Sequence, residues 1–109
     1  MLIDAMTNGE WQVKQYIEGT VDITLQFYGY SFQFEEHGVV HAKYGGFVEH
    51  GTWAGDINNY SITSQFPTAT DPLKKLNGVW KITDSYWNYV EAEMNTANGK
   101  NILHLLKKP

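Results

Sequence analysis

The stretch VVHAKYGGFVEHGTW, residues 39–53, decides the fold of this chain. Two short runs rich in β-branched and aromatic residues flank a Gly-Gly pair. Both central residues of the favoured two-residue hairpin turn need a positive φ, which glycine adopts at little cost. The stretch therefore predicts a β-hairpin in which Tyr44 faces Phe47 and His41 faces His50.

Outward from this hairpin, the dominant hydrophobic period is two, which is the period of half-buried strands. The clearest example is the run in which Tyr30, Phe32 and Phe34 share one face. Further strands are predicted at residues 57–66, 79–83, 86–94 and 102–107. Residues 21–28 stay open between a strand and a helical turn. The apolar residues from Val21 to Phe27 alternate with a period of two, whereas Thr24, Phe27 and Tyr30 fall at spacings of three.

One segment, DPLKKLNG, breaks the period of two and predicts a short helix at about residues 72–77. Asp71 is expected to cap the first amides, and Pro72 suits the first helical position. Leu73 and Leu76 lie three residues apart and so share a face. Because so short a helix is not stable alone, we expect it to pack as a plug over the end or edge of a sheet.

Three of the four tryptophans follow a glycine by two positions, in Gly9-Glu10-Trp11, Gly51-Thr52-Trp53 and Gly78-Val79-Trp80. The triplets begin 42 and 27 residues apart and are therefore not a regular repeat. Either they share a binding role, or each glycine permits a bend or a close backbone approach before a tryptophan that begins an inward face. We favour the second interpretation.

The composition suits one folded domain. The chain has 109 residues, of which 15% are aromatic and 18% charged, and this balance argues against disorder. We predict an all-β fold, a small antiparallel up-and-down β-barrel of eight or nine strands with one short helix. Residues 9–109 are expected to form this single domain, and residues 1–8 a disordered or extended N-terminal segment.

The charged residues and the absent residue types exclude several classes of function. The net charge is −4 and there is no arginine, so nucleic acids and anionic membrane surfaces are unfavourable partners. There is no cysteine, which excludes disulfides, zinc–thiolate sites and cysteine nucleophiles. No apolar run is long enough for a transmembrane helix, and the first residues lack the pattern of a signal peptide.

The order of several short motifs resembles the lipocalin and calycin superfamily, and in particular the small lipocalin-like domains of Bacteroidetes-type bacteria. The motifs are Gly9 to Trp11, Trp11-Gln12-Val13, Asp22 to Phe27, Tyr30 to Phe34, Gly51 to Trp53, Asp71 to Asn77 and Trp80 to Ile82. They span the chain from about residue 9 to residue 107. The resemblance implies a barrel that binds a small ligand, without indicating which ligand.

The resemblance carries two further expectations. Many members of the bacterial group look like exported or lipid-anchored envelope proteins. One expectation is therefore a secreted or envelope location, with the signal peptide absent from this chain. The sequence does not decide the compartment. Lipocalins also lay an arginine of the last strand across the first tryptophan. Since this chain has no arginine, we expect Lys107 or Lys108 to contact Trp11 through a cation–π interaction.

The residues expected to line a ligand cavity are inward-facing aromatics and one carboxylate: Tyr30, Phe32, Phe34, Tyr44, Glu49, Trp53 and Trp80. In the hairpin register, Glu49 shares a face with Tyr44 and Trp53. An inward carboxylate among aromatic rings must find partners or shift its pKa. It could orient a ligand or act as a general base, or it could lie near the rim and reach water.

The opposed histidines of the hairpin, His41 and His50, could contact a metal ion. Val40 and Ala42 form the more apolar face of the same strand, which places both histidines outside the barrel. No third ligand is evident, and the sequence therefore predicts neither a metal site nor a cofactor.

A second aromatic group, Tyr86-Trp87-Asn88-Tyr89, suggests an alternative function. With Val90 facing inward, Tyr86 and Asn88 are expected inside and Trp87 and Tyr89 outside. An exposed Trp-Tyr pair suits sugar stacking or contact with a protein. The alternative is thus a glycan- or protein-interaction module that uses Trp87 and Tyr89, with the barrel filled by its own side chains.

Catalytic signatures are missing from the sequence. It contains no Gly-x-Ser-x-Gly, no phosphate-binding glycine loop and no His-Glu-x-x-His motif. We therefore predict a non-enzymatic binding domain whose partner is a small apolar or amphipathic molecule inside the barrel.

Overall fold

A computed structural model describes residues 2–109 of the chain. The elements in chain order are α1 (Leu2–Met6), β1 (Trp11–Glu18), β2 (Val21–Asp22), a 3₁₀ helix (Thr24–Phe27), β3 (Tyr30–Phe34), β4 (Val39–Tyr44), β5 (Phe47–Asp56), β6 (Ser61–Gln65), a second 3₁₀ helix (Leu73–Leu76), β7 (Gly78–Tyr86), β8 (Tyr89–Thr96) and β9 (Gly99–Lys107). None of the helices in residues 2–109 is both long enough and apolar enough to cross a membrane.

The strands form one antiparallel barrel, which confirms the predicted fold class. Each strand from β3 to β9 pairs with its neighbour in the chain, and β9 closes the barrel on β1 from Trp11↔Lys107 to Glu18↔Asn101. The short strand β2 pairs with β1 outside this eight-stranded ring. Strands β1 and β3 meet at Trp11↔Phe32.

The central hairpin has the register expected from its turn. Tyr44 pairs with Phe47 and His41 with His50. Gly45 has φ +58°, and a Cβ added there would meet nothing within 4 Å. At Gly45 the turn therefore requires glycine for its backbone conformation rather than for space, whereas Gly46 lacks the positive φ expected at the second central position.

The Gly-x-Trp triplets have the structural role favoured from sequence. Trp11, Trp53 and Trp80 are all buried, and each indole Nε1 donates a hydrogen bond to a backbone carbonyl. The acceptors are the carbonyl oxygens of Met6, Glu35 and Leu76, at 3.1, 2.7 and 2.9 Å. The three indoles thus tie the barrel wall to α1, to the β3–β4 turn and to the second 3₁₀ helix.

The segment that sequence left open combines both alternatives. Residues 21–22 form the short strand β2, whereas Thr24–Phe27 forms a 3₁₀ helix. The carboxylate Oδ1 of Asp22 accepts from the Thr24 backbone N at 2.9 Å and also from its hydroxyl. This local bonding competes with a sheet ladder and favours the helical turn. Phe27 is buried and stacks on Tyr16.

The predicted plug helix is present at Leu73–Leu76 as a 3₁₀ helix, with both leucines buried. The expected Asp71 cap is wrong, because Pro72 occupies the N-cap position and no side chain caps this helix. The helix is attached to the barrel instead. The Tyr16 hydroxyl donates to the Lys75 carbonyl at 2.6 Å, and Lys75 Nζ lies 2.7 Å from Glu18 Oε2.

The N-terminal segment differs from the disordered or extended chain predicted for residues 1–8. Residues Leu2–Met6 form a helix whose Leu2, Ala5 and Met6 are buried. Their spacing places these apolar side chains on one face, which packs against the barrel end. The first residue lies outside the described part of the chain.

A candidate ligand-binding cleft at the barrel mouth

The interior of the barrel is nearly filled by its own side chains. The internal cavity measures about 40 Å³, and Phe32, Phe34 and Trp80 are among its apolar lining residues. Sites for drug-sized ligands usually measure about 300–1,000 Å³. The space inside is therefore comparable to a water molecule or two, and its apolar walls would keep it dry.

Trp53 lies beside this interior but does not border its cavity. The indole packs edge-on against Phe34 at 5.5 Å between ring centroids, and its Nε1 is used by the Glu35 carbonyl. Trp53 therefore has a structural role, because it joins β5 to Phe34 and to the β3–β4 turn.

The second 3₁₀ helix separates the filled interior from an open cleft at the barrel mouth. Leu76 borders the cavity, whereas Leu73 borders the cleft. The cleft measures about 610 Å³ and is lined by Tyr30, Ala42, Tyr44, Phe47, Val48, Glu49, His50, Thr68 and Leu73. It arises because the inner face of the β4–β5 hairpin continues past the helix that closes the barrel.

Aromatic rings form the wall of this mouth cleft. The rings of Tyr30 and Tyr44 lie 4.8 Å apart between centroids and are tilted by 35°. Tyr44 packs over Gly29, where an added Cβ would lie only 3.0 Å from Tyr44 Cε1. Tyr44 is 50% exposed and Phe47 is 80% exposed. Exposed rings of this kind, held by a rigid hairpin, offer flat surfaces to a ligand.

Three polar groups in the mouth cleft lack protein partners. Within residues 2–109, the hydroxyls of Tyr30 and Tyr44 and the carboxylate of Glu49 make no hydrogen bond or ion pair. Glu49 is half-buried and pairs across the hairpin with Ala42, which places it at the rim. Burial, then the nearby Tyr44 and Glu49, raise the pKa of Tyr30, so its hydroxyl keeps its proton as a donor.

The two hairpin histidines lie outside the barrel and engage each other. His41 Nδ1 and His50 Nδ1 are 2.7 Å apart, and His41 Nε2 lies 2.8 Å from Glu35 Oε2. Because the Glu35 carboxylate accepts, His41 Nε2 carries a proton. In the hydrogen bond between the two Nδ1 atoms, one nitrogen carries the proton and the other accepts it. No three His, Asp or Glu side chains in the described chain are placed to hold a metal ion.

Trp87 lies at the opposite end of the barrel, in the β7–β8 turn, and is 56% exposed. Its ring covers Lys107, whose Nζ lies 4.0 Å from the Trp87 centroid and 5.1 Å from that of Trp11. The contact between Lys107 and Trp11 expected from the missing arginine is therefore present. Burial lowers the pKa of Lys107.

The expected inward position of Tyr86 is wrong. Trp87 and Asn88 form the turn, so Tyr86 pairs directly with Tyr89, and directly paired residues share a face. Tyr86 is 58% exposed, and its hydroxyl donates to Asp84 Oδ2 at 3.1 Å.

Tyr89 is half-buried on the same outer face, and its hydroxyl has two partners. It lies 3.0 Å from Glu91 Oε2 and 2.9 Å from His104 Nδ1. Because the single hydroxyl proton goes to the carboxylate, His104 Nδ1 is the donor to the Tyr89 oxygen. Burial, followed by Glu91, raises the pKa of Tyr89 to about 12.

The structure therefore divides the seven predicted ligand-site residues. Phe32, Phe34 and Trp80 border the small interior cavity, Trp53 lies beside it, and Tyr30, Tyr44 and Glu49 meet in the mouth cleft. Sequence reasoning omitted Phe47 from the site, although its position opposite Tyr44 put it on the same face. The contribution of Thr68 had no local signal, since it comes from the loop before the plug helix.

Comparison with known proteins supports the fold. No protein-family model and no curated protein matches the chain. The solved structure of a DUF4847 family protein from Bacteroides vulgatus ATCC 8482 matches it with a TM-score of 0.70 at 13% sequence identity, over 100% of both chains. Membership of the calycin superfamily stays a prediction. At this identity the likeness concerns the fold alone, and the chain is similar in fold to a DUF4847 family β-barrel protein.

Proposed function

We propose that this domain binds a small amphipathic molecule in the mouth cleft, above the helix that closes the barrel. One observation carries the proposal. The hydroxyls of Tyr30 and Tyr44 and the carboxylate of Glu49 have no partner within residues 2–109, and they lie among aromatic rings in one cleft. These groups border an open cleft, where a ligand can bond them in place of water. The cleft also has a volume within the usual range for small-molecule sites.

The proposal keeps the small amphipathic ligand expected from sequence, but it moves this ligand from the barrel interior to the mouth cleft. A cavity of about 40 Å³ leaves no room for a lipid chain beside Phe32 and Trp80. In the mouth cleft, by contrast, the aromatic faces would cover the apolar part of a ligand. The Glu49 carboxylate and the two tyrosine hydroxyls would bond its polar part.

Fluorescence titration with N-phenyl-1-naphthylamine, a neutral amphipathic probe, tests the proposal. We expect a double truncation, Tyr44→Ala with Phe47→Ala, to abolish probe binding, because it removes the exposed aromatic wall. Trp87→Ala is the matched control, since Trp87 is also an exposed aromatic but lies at the other end of the barrel.

Each outcome assigns the site. Loss of binding only in the Tyr44/Phe47 variant supports the mouth cleft. Loss only in Trp87→Ala moves the site to the β7–β8 turn and overturns the proposal. Loss only in the interior variant Trp80→Phe, with an unchanged far-ultraviolet circular dichroism spectrum, would assign the probe to the barrel interior. Binding that survives in every variant would exclude the mouth cleft, the β7–β8 turn and the interior as the probe site.

A further inference from the structure

We propose that the ligand of the mouth cleft is an organic cation, such as a quaternary or protonated amine. The inference rests on the proposed function and adds the charge of the ligand to it. The juxtaposition that carries it is one half-buried carboxylate, Glu49, beside the rings of Tyr30, Tyr44 and Phe47.

The charge of the cleft favours a cation. Glu49 is the one carboxylate among its lining residues, and no lysine lines the cleft within the described chain. His50 is the other titratable side chain besides the tyrosines, and its Nδ1 faces His41 at 2.7 Å. An ionised Glu49 therefore has no positive counterpart among residues 2–109, and an anionic ligand would meet a like charge there.

The aromatic wall selects the same class of ligand. The face of a tyrosine or phenylalanine ring carries negative electrostatic potential, which attracts ammonium groups that lie within about 6 Å of the ring centroid. The rings of Tyr30 and Tyr44 pack on each other at 4.8 Å, and Phe47 lies opposite Tyr44 across the hairpin, so all three line the same open cleft as Glu49. A neutral sugar could also stack on such rings, but it would leave the charge of Glu49 uncompensated.

The absence of an ion pair at Glu49 among residues 2–109 also favours the binding of a cation. Two carboxylates elsewhere on the barrel are already used by lysines, as Glu18 is by Lys75 at 2.7 Å and Glu10 by Lys43 at 3.0 Å. Glu49 has no such partner among residues 2–109. A cationic ligand would therefore not have to displace an internal ion pair.

The test compares choline with 3,3-dimethylbutan-1-ol, a neutral molecule of the same shape. Both are titrated into the full chain while the aromatic ¹H–¹³C NMR signals are followed. We expect choline to shift the ring signals of Tyr30, Tyr44 and Phe47 and to bind about fivefold or more tightly than the neutral molecule. Glu49→Gln should lower choline affinity about fivefold and leave the affinity for the neutral molecule unchanged.

Glu36→Gln is the matched control, since Glu36 is an exposed carboxylate in the β3–β4 turn. Equal affinity for the two molecules, or a Glu49→Gln variant that binds choline as the parent does, would overturn the inference. If N-phenyl-1-naphthylamine binds at the mouth cleft and choline shifts no ring signal there, the proposal of a cationic ligand is wrong, while the proposal of a binding site in the mouth cleft is still supported. If neither binds, the proposed function fails as well.

Discussion

Aromatic side chains reach solvent at both ends of this barrel, but their polar atoms have different surroundings. In the β7–β8 turn, the hydroxyl of Tyr86 donates to Asp84 and that of Tyr89 donates to Glu91. In the mouth cleft, the hydroxyls of Tyr30 and Tyr44 have no partner in the described chain. Exposure alone therefore does not separate a structural aromatic cluster from a candidate site.

The β7–β8 end is part of what holds the fold together. Trp87 covers the amine of Lys107, which also lies over the buried Trp11 and has no hydrogen-bond partner in the described chain. We expect the mouth cleft to contribute less to stability, because the rings of Tyr44 and Phe47 extend into water. Such a difference is expected where a surface is shaped for a ligand rather than for packing.

The largest expected effect on stability separates the two ends directly. Trp87→Ala should lower the free energy of unfolding by about 1–2 kcal/mol, because it removes the ring that covers Lys107. Phe47→Ala should cost less than about 0.5 kcal/mol, because Phe47 is 80% exposed. Urea denaturation of both variants measures the difference, and equal losses would break the comparison.

A smaller difference is expected for the tyrosine hydroxyls. Tyr89→Phe should cost about 1 kcal/mol, because Glu91 loses a donor and His104 Nδ1 loses its acceptor. Tyr44→Phe removes a hydroxyl without a protein partner and should change stability by less than about 0.3 kcal/mol. Thermal unfolding of the two variants under identical buffer conditions gives the answer, and a larger loss for Tyr44→Phe would contradict it.

Alkaline pH should erase the contribution of Tyr89. Its pKa is about 12 in the folded state, against about 10 in an unfolded chain. A raised pKa stabilises the fold below the unfolded value and loses that contribution as the pH rises through the folded value. The stability deficit of Tyr89→Phe should therefore be full at about pH 8 and close to zero near pH 12, as followed by denaturation at stepwise pH.

The smallest effect should come from the carboxylate of the mouth cleft. Glu49→Gln should leave stability within about 0.5 kcal/mol of the parent, with any change toward greater stability, since the charge has no internal partner. Glu91→Gln is the matched change at the other end and should lower stability, because it weakens the bond from the Tyr89 hydroxyl. A clear loss in Glu49→Gln would show that Glu49 is structural.

Local patterns predicted the parts of the molecule that depend on neighbouring residues. The register of the β4–β5 hairpin followed from its Gly-Gly turn, and the alternation of Tyr30, Phe32 and Phe34 followed from the period of a strand. The predicted inward position of Tyr86 is wrong because the alternation of a strand does not continue through the turn at residues 87–88. Hydrophobic periodicity does not predict the helical turn after β2, because the hydrogen bonds that Thr24 donates to the Asp22 carboxylate leave no signature in it.

The candidate site was only half predictable for a different reason. Sequence placed Tyr30, Tyr44, Trp53 and Trp80 on inward faces, which is correct for the strands but says nothing about depth along the barrel axis. The position of the second 3₁₀ helix sets that depth, since Leu76 borders the interior and Leu73 the cleft. Its attachment joins residues distant in the chain, such as Tyr16 and Lys75.

By itself, the sequence determined the all-β class, the hairpin register, the structural role of the Gly-x-Trp triplets and the faces of most strands, because each depends on spacing within a few residues. The tertiary structure decided how much space the closed barrel leaves and where the polar groups find partners. Both depend on contacts between distant segments, as when the Tyr16 hydroxyl of β1 donates to the Lys75 carbonyl of the second 3₁₀ helix. The filled interior and the open mouth cleft beside Glu49 are therefore properties of the packed chain.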